Sequence, residues 1–584
     1  MKNSIYWAAL IWILISVIPS PPSPGGVGID ASWIWGLNLA NQAGLVFGRD
    51  IFFAYGPLGY LNVPMFPESS STEVLLYLGL IYGVWVASVV RIGRSNRLLA
   101  MLLALSGVPL AIYYWDHFEI SVMALAIAIV ATNWRAAMPL LAMLAGAASL
   151  FRLYQGIQGA ALLLLVLAWF RVKRDYVLMP LLAIATALGL WAYKGHPIEV
   201  IPQFLLAAID IVGGYGEAMA APGPMWQVLA AGGAVVAATA IAAWASPVAA
   251  LPVFLLSFLA FKHGVVRQDA HMAPVHFKIA IVVLLAWAAA SRRKDTAGRY
   301  FAGMTVANLV LGFAIGIPLF PYMMENCKQR LSGWYAYNFV QAFAAWPQTV
   351  RGLQAQRPAI LASRLMDKRP GEGTIDVIPN NIDVIEANHL NYKPRPVIQS
   401  YQSYTPRLDA WNSQRLDANR LLIHWDPIDG RHPYFDEPLL WRQILGRYEY
   451  ETTTNQGQLW RQSGGPALQP SLIGGPASVR MGEWMTVPAG ERVALQAEVR
   501  PNLLGRAIAF VLRAIPVLVE VEFTDNGAAT YRTVRANLVS GPIVNPFPVS
   551  LTETKTVRRV RFVTAAPGRY DPVIRVQWVG LTNP

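Results

Sequence analysis

Cysteine is all but missing from this chain: Cys327 is the one cysteine in 584 residues. That excludes an intrachain disulfide and any cysteine-based metal site, so every folded part must rest on its own core. Charge is scarce as well. Asp, Glu, Lys and Arg make up 14% of the residues and hydrophobic residues 55%, against roughly 25% and 45–50% in a soluble domain. Internal repeats, low-complexity tracts and a long linker are absent too. The shortage of charge is local. From Ser4 to Pro321 apolar runs alternate with short polar stretches, whereas from Tyr322 onward charge and alternation are those of a soluble protein. Two regions in two solvents are expected.

A net charge of +13 invites a nucleic-acid partner, but the basic residues do not cluster as a nucleic-acid groove would require. Many sit in short loops between apolar runs, where orientation in a bilayer accounts for them. The sequence therefore points to a lipid bilayer and not to nucleic acid.

Apolar spans are expected near 4–19, 73–90, 98–113, 118–132, 136–150, 156–170, 177–193, 226–243, 247–261, 275–290 and 301–320, about eleven in all, several shorter than the roughly 20 residues that fill a bilayer core. No small-x-small cleavage site precedes the run Pro21-Pro22-Ser23-Pro24, so the first span is read as uncleaved. Loops on the N-terminal side carry Lys2, Arg91, Arg94, Arg97, Arg135, Arg171, Lys173, Arg174, Arg292, Arg293, Lys294 and Arg299. The opposite side carries Arg49, Arg152, Lys194, Lys262 and Arg267, with Lys278 just inside a span, so the division is twelve against six. The positive-inside bias places the N-terminus in the cytoplasm and, with an odd number of spans, exports everything after Pro321. Acids run the other way and gather in the outer loops, which orientation does not explain and a polar site on the outer face would.

Three domains follow: a transmembrane block over 1–321, an extracytoplasmic helix with a small α/β layer over 322–465, and a β-sandwich over 466–584. After a helical stretch (Asn338–Met366), strands are expected at Thr374–Ile378, Pro396–Ser400, Leu421–Trp425 and Tyr448–Thr453, with helices at Leu408–Asn419 and Glu437–Leu445. The last part is β-rich, at Val493–Val499, Val517–Phe523, Val557–Val563 and Val573–Val579. Asn526-Gly527 there reads as a hairpin turn. Leu503–Val519 is apolar, but Arg506, Arg513 and Pro516 argue for a short amphipathic helix running into a strand, resting on a membrane surface.

The first outer loop, Pro21 to Thr72, is long for a connector. Asp30 opens a run with apolar residues at Trp33, Leu37, Ala40 and Leu45, the spacing of a helix lying in the interface. The loop closes on Phe47-Gly48-Arg49-Asp50 and Tyr55-Gly56-Pro57-Leu58. These residues resemble the GT-C superfamily of membrane glycosyltransferases, in which a short first span leads to an acidic residue, an interfacial helix and a Tyr-(Pro/Gly)-Pro-Leu segment. Asp30 has no second acid beside it, and Gly56 stands where many members have proline. The resemblance covers the membrane block. It implies a GT-C-like fold, a polyprenyl-phosphate sugar as donor, a glycan, lipid or other cell-envelope acceptor, and inversion at the anomeric carbon on the outer face of a bacterial inner membrane. Asp30 then becomes the general base and Asp50 its positioning partner. Asp30 as helix N-cap is the plain alternative, and a salt bridge to Arg49 is the plain role for Asp50.

Basic groups at outer span ends suit a lipid phosphate: Arg152, Lys262, His263 and Arg267, against a plain role as interfacial side chains. Tyr55, Asp116, Glu119, Tyr215, Glu217, Asp269 and His271 are further acceptor or loop candidates. Asp116 and Glu119 are otherwise read as a solvated loop, and Tyr215 and Glu217 as part of a flexible loop, Pro197–Met225. Asp269 and His271 do not make a recognised ligand pattern, so no metal site is assigned and no fixed cofactor is called for, with a divalent cation left open. The aromatic and amide groups from Asn388 to Tyr404 fit domain packing better than sugar binding. Two other classes compete: a transporter or flippase for a lipid-linked glycan, disfavoured by spans nearly free of charge, and a non-catalytic assembly protein that binds polysaccharide.

Overall fold

A computed structural model describes the chain apart from Met1, residues 20–22, 66–70, 113–116 and 291–294, Asp426 and Pro584. Asp116 lies outside the described residues. The protein is a polytopic helical membrane block joined to an α/β layer and a β-sandwich. It divides into two compact units. The first holds Met1–Pro24, Tyr55–Ile198 and Ala221–Ala355; the second holds Gly25–Ala54, Glu199–Ala220 and Gln356–Pro584.

Among the described residues, eight helices are long and apolar enough to cross a membrane, and four more are apolar but shorter. One of the eight, Ile198–Ala218, was expected to be a loop. Its glycines are helical, and Gly214 is required there because a Cβ would collide with the Tyr404 side chain. This helix belongs to the second unit. Its Asp210 pairs with Arg407 at 2.9 Å and its Glu217 with Arg535 at 2.7 Å. Both pairs lie in the C-terminal half of the helix and tie it to residues 356–584. Setting it aside leaves seven of the eight, and the four shorter helices bring the number to eleven, each matching a span read from sequence.

The first unit is organised around Met272–Ala290, whose every residue is buried. It packs against Asp295–Leu319, Pro247–Val266, Met225–Ala245, His117–Thr132 and Arg97–Leu110. An apolar helix enclosed on all sides explains a sequence with no polar face. Arg330, on Met323–Leu331, is buried and donates to the carbonyl of Ile18 at 2.8 Å and to that of Ser16 at 3.3 Å, closing the end of the first span.

In the second unit a five-stranded sheet runs Asn391–Tyr392, Thr374–Ile378, Arg420–Ile423, Gly457–Gln462, Tyr448–Thr454. The first three strands are parallel and the last two antiparallel. The sandwich consists of two four-stranded sheets. One contains Val517–Phe523 paired with Ala528–Thr533 through the expected turn, where Asn526 takes φ 67°. One buried core joins Trp425, Tyr434, Trp441 and Ile444 of the α/β layer to Val493, Val519, Val560 and Ile574 of the sandwich.

Two expectations are corrected. Pro396–Ser400 is not a strand. Val397 is tied down by the Asn412 amide, which donates to its carbonyl at 3.1 Å while its own oxygen accepts the Val397 N–H at 2.7 Å. The partner strand is instead Asn391–Tyr392. The helix of the first loop, Ile29–Gln42, was expected to lie in the membrane interface, but Ile34, Trp35, Leu37 and Ala40 are buried within the second unit. The Trp35 indole donates to the Gly26 carbonyl at 3.0 Å, and the Arg357 guanidinium covers its ring at 5.1 Å.

Candidate functional site

The residues singled out from sequence fall into two groups, one in each unit.

In the helical block the group forms where the chain breaks between the helices Met138–Phe151 and Leu153–Phe170. Arg152, in extended conformation, sits at that break. The segment Tyr55–Leu58 pairs with it: the Gly56 and Leu58 amides donate to the carbonyls of Phe151 and Leu150, each at 3.0 Å. Gly56 is needed because a Cβ would collide with the Leu150 carbonyl. This brings the Tyr55 ring under the Arg152 guanidinium at 3.8 Å, a cation–π pair. On the helix that follows, the Tyr154 hydroxyl donates to Glu119 at 3.2 Å and the Gln158 amide donates to it at 2.9 Å.

Glu119 is therefore not a solvated loop residue. It is 4% exposed and takes its third bond from Lys278 at 2.9 Å, with the lysine side chain also buried. Taking both charges out of water is costly, and only this density of hydrogen bonds makes the pair tenable. The His263 ring lies 6.0 Å from that of Tyr154 and 5.5 Å from that of His271. His271 bonds Asp269 at 2.5 Å, and Asp269 also accepts from Arg267 at 2.6 Å. Burial raises the Asp269 carboxyl, but the His271 ring and amide and the Arg267 guanidinium outweigh it and hold it well below the usual carboxylate range. The loop is anchored through Arg267, which forms a bridge with Ala221. Lys262 precedes His263 on the same helix and is half-buried.

Arg152, Tyr55, Glu119, His263, Arg267, Asp269 and His271, chosen from four separate stretches of sequence, thus form one polar group. Three cations, Arg152, Arg267 and Lys278, stand with two carboxylates, Asp269 and Glu119, in it, so the group is left net positive and an anion is its natural complement. Sequence reasoning passed over Tyr154 and Gln158. Their signal was a cluster of polar residues, Tyr154, Gln155 and Gln158, at the start of a helix apolar from Gly159 onward, the pattern of an inward-facing polar site. Among the described residues, no group of three or more His, Cys, Asp or Glu side chains is placed to hold a metal ion.

The second group is smaller. Asp30 is not the N-cap of its helix, since Gly28 holds that position and the helix starts at Ile29. Its Oδ1 accepts from the Trp33 indole at 3.2 Å, and the residue is exposed. The helix start is pinned to the α/β layer. The Gly28 amide donates to Asp383 at 2.8 Å, and the Gln399 amide reaches the Ile29 carbonyl at 3.4 Å. Asp383 and Gln399 follow the parallel strands Thr374–Ile378 and Asn391–Tyr392, so Asp30 stands beyond the C-terminal ends of parallel strands, the usual place for a ligand on such a sheet. Asp30 lies within electrostatic reach of the buried Tyr401.

Asp50 is occupied. It accepts from the Val46 amide at 3.0 Å and forms a two-pronged pair with Arg49, each contact 3.0 Å. Burial alone would raise its pKa; Arg49 and the amide lower it below the ordinary value. Tyr215 packs beside Tyr404 and Trp411, and Glu217 is held by Arg535 through three contacts. These two residues hold the second unit together and are not in the polar group of the helical block. Gln399–Tyr404 is likewise buried, consistent with packing.

No family model matches the chain, and no curated protein matches it. Among solved structures it is similar to the arabinofuranosyltransferase AftD from Mycobacteria, at 11% identity and a TM-score of 0.28, over 100% of this chain and 60% of that one. The chain thus spans 60% of the length of the structure it matches. At that TM-score the likeness carries no argument, and the functional reading rests on the chain's own residues. Fold and site together define a polytopic membrane protein with a polar group rich in basic side chains among its helices, followed by an α/β layer and a β-sandwich.

Proposed function

We propose that the protein is an inverting glycosyltransferase that takes a sugar from a polyprenyl-phosphate donor and passes it to a cell-envelope acceptor on the outer face of the inner membrane. The observation that carries this reading is the gathering of Arg152, Arg267 and Lys278 with only two carboxylates in an apolar helical block. A lipid phosphate is the anion that a membrane supplies. In the transfer the acceptor oxygen bonds the anomeric carbon as the bond from that carbon to the phosphate oxygen breaks. The electron pair leaves on the phosphate, whose growing charge the cations stabilise. The acceptor's proton goes to Asp30, whose exposed carboxylate, held by Trp33 alone among the described residues, is suited to a general base. Asp50, fixed by Arg49 and the Val46 amide, shapes the loop that presents Asp30.

One observation favours a second reading. Lys278 and Glu119 form a charged pair inside a helix block, the kind of group that transporters use, so the spans are not as free of charge as the sequence implied. Purified protein in liposomes, given a radiolabelled polyprenyl-phosphate sugar and an acceptor, separates the two. Covalent transfer of label supports the enzyme. Movement of the intact lipid-linked sugar across the bilayer without transfer supports the flippase.

A further inference from the structure

The sandwich carries one helix that exposes the face a water-soluble domain would bury. In Leu503–Val511 the buried side is Gly505, with Ile508 and Ala509 half-buried. Leu503 (84% exposed), Leu504 (59%), Phe510 (74%) and Val511 (45%) face outward. At about 100° per residue these four and Ala507 fill one continuous arc, and Arg506 lies at its edge. Elsewhere in residues 356–584 the exposed large hydrophobics are single: Leu365, Tyr450, Leu472, Val539 and Val573. Scattered residues are ordinary, but a contiguous patch is not.

A second apolar face adjoins it within the same unit. The Ala514 amide, just past this helix, donates to the Gly216 carbonyl at 3.3 Å. Gly216 ends the helix Ile201–Ala218, whose Leu205, Ile209 and Val212, spaced i, i+4 and i+7, are exposed along with Leu206. The other face of that helix is packed into the unit through Ala207, Ile211 and Ala218. Arg532, on the sandwich strand Ala528–Thr533, donates to the Glu217 and Ala218 carbonyls at 3.2 and 3.1 Å, so the end of Ile201–Ala218 is fastened to the sandwich. Gly216 is followed nine residues later by Met225, the first residue of a membrane-crossing helix. Nine residues reach at most about 30 Å.

We infer that Leu503–Val511 and the outer face of Ile201–Ala218 form a single platform that lies in the interfacial region of the bilayer the chain itself spans. A bilayer is the partner of stated chemistry that both faces fit. It takes a flat apolar surface with arginine at its rim, it is within covalent reach of Gly216, and a chain with these spans is never without it. Arg506, exposed at the edge of the arc, is placed for anionic headgroups. This platform does not depend on the glycosyltransferase reading, since a transporter or a binding protein with the same sandwich would hold it to the membrane in the same way.

The test uses full-length protein, one copy per nanodisc, in phosphatidylethanolamine and phosphatidylglycerol with a nitroxide-labelled phosphatidylcholine. In a Cys327→Ser background a small fluorophore is attached at Phe510→Cys, at Ile209→Cys or, as control, at Leu472→Cys, which is 72% exposed on a sandwich strand. The expected result is quenching by the nitroxide lipid several-fold stronger at 510 and 209 than at 472. Adding Leu503→Asp and Leu504→Asp should return the 510 reporter to the control level while the 472 reporter stays unchanged, which marks the fold as intact. Equal quenching at all three positions overturns the inference. So does a 510 site shielded from a water-soluble quencher yet untouched by the lipid one, which would mean that protein covers the face.

Discussion

Lys278 and Glu119, 159 residues apart in the chain, meet at 2.9 Å with 7% and 2% of their side chains exposed, on two helices that each read as apolar spans. Neither charge alone belongs in such surroundings. Glu119→Gln should therefore strip Lys278 of its counter-charge and destabilise the helical block by about 3–5 kcal/mol, whereas the paired replacement Glu119→Leu with Lys278→Met should recover most of that loss. Melting in detergent checks both. If the pair also serves the phosphate, the double variant will be stable and inactive.

Arg152 makes a sharper probe of the anion site, because it sits at a helix break rather than inside a helix. Arg152→Gln should weaken binding of a polyprenyl-phosphate sugar by roughly 1.5–3 kcal/mol, the worth of a charge-assisted hydrogen bond. Arg152→Lys should recover only part of it, since a guanidinium stacks on Tyr55 better than an ammonium does. Equilibrium binding of a fluorescent polyprenyl-phosphate analogue reads the difference. Unchanged affinity in folded Arg152→Gln protein would remove the phosphate from this group.

Orientation is open to direct labelling. Cysteines placed at Ser95 and at Ser478, both exposed, in a Cys327→Ser background should react with an impermeant maleimide from opposite sides of intact inner membranes, with Ser95 cytoplasmic, as the basic-residue count requires. Reaction from one side only would overturn the topology and the outer-face site with it.

Asp436 gives the second unit a pH dependence of predictable sign. Burial pushes its carboxyl up to about 7, with Arg431 opposing and Glu437 and Asp429 reinforcing the shift. A carboxyl whose folded pKa is raised binds its proton more tightly in the folded state, so folded stability is highest below the unfolded value near 3.9 and falls as pH rises toward 7. Asp436→Asn should flatten that fall between about pH 4 and 7. A melting series across this window is the check, and an unaltered slope in the variant would assign the effect elsewhere.

Much of the architecture was legible because each part obeys one period. The spans are continuous apolar runs, and Val517–Phe523 and Val557–Val563 alternate cleanly, so their bounds coincide with the observed strands. Ile201–Ala218 escaped because three glycines and two acids make a poor helix on propensity. Gly214 is there for contact with Tyr404, and the acids for Arg407 and Arg535, all distant in sequence. The strands Gly457–Gln462 and Gln469–Arg480 were missed for a related reason. The second is rich in Gly and Pro and mostly exposed, and its pairing with Val573–Thr582 holds it. At the site, the charged residues could be picked out one at a time from their places at span ends. That seven of them would converge was not readable, since it depends on a buried central helix carrying Lys278 to Glu119.

The claim at the centre of this account is that Asp30 removes the acceptor's proton, and turnover by Asp30→Asn tests it most directly. Asparagine keeps the oxygen that accepts from Trp33, and Asp30 makes no capping bond that the change could break. Stability should stay close to that of the parent, while sugar transfer from a polyprenyl-phosphate donor by purified protein in liposomes should fall about 10²–10⁴-fold. Donor binding, measured on the same sample, should not change. Asp50→Asn should cost less activity and some stability, because Asp50 holds Arg49 and the Val46 amide. Near-normal transfer by folded Asp30→Asn would contradict the account.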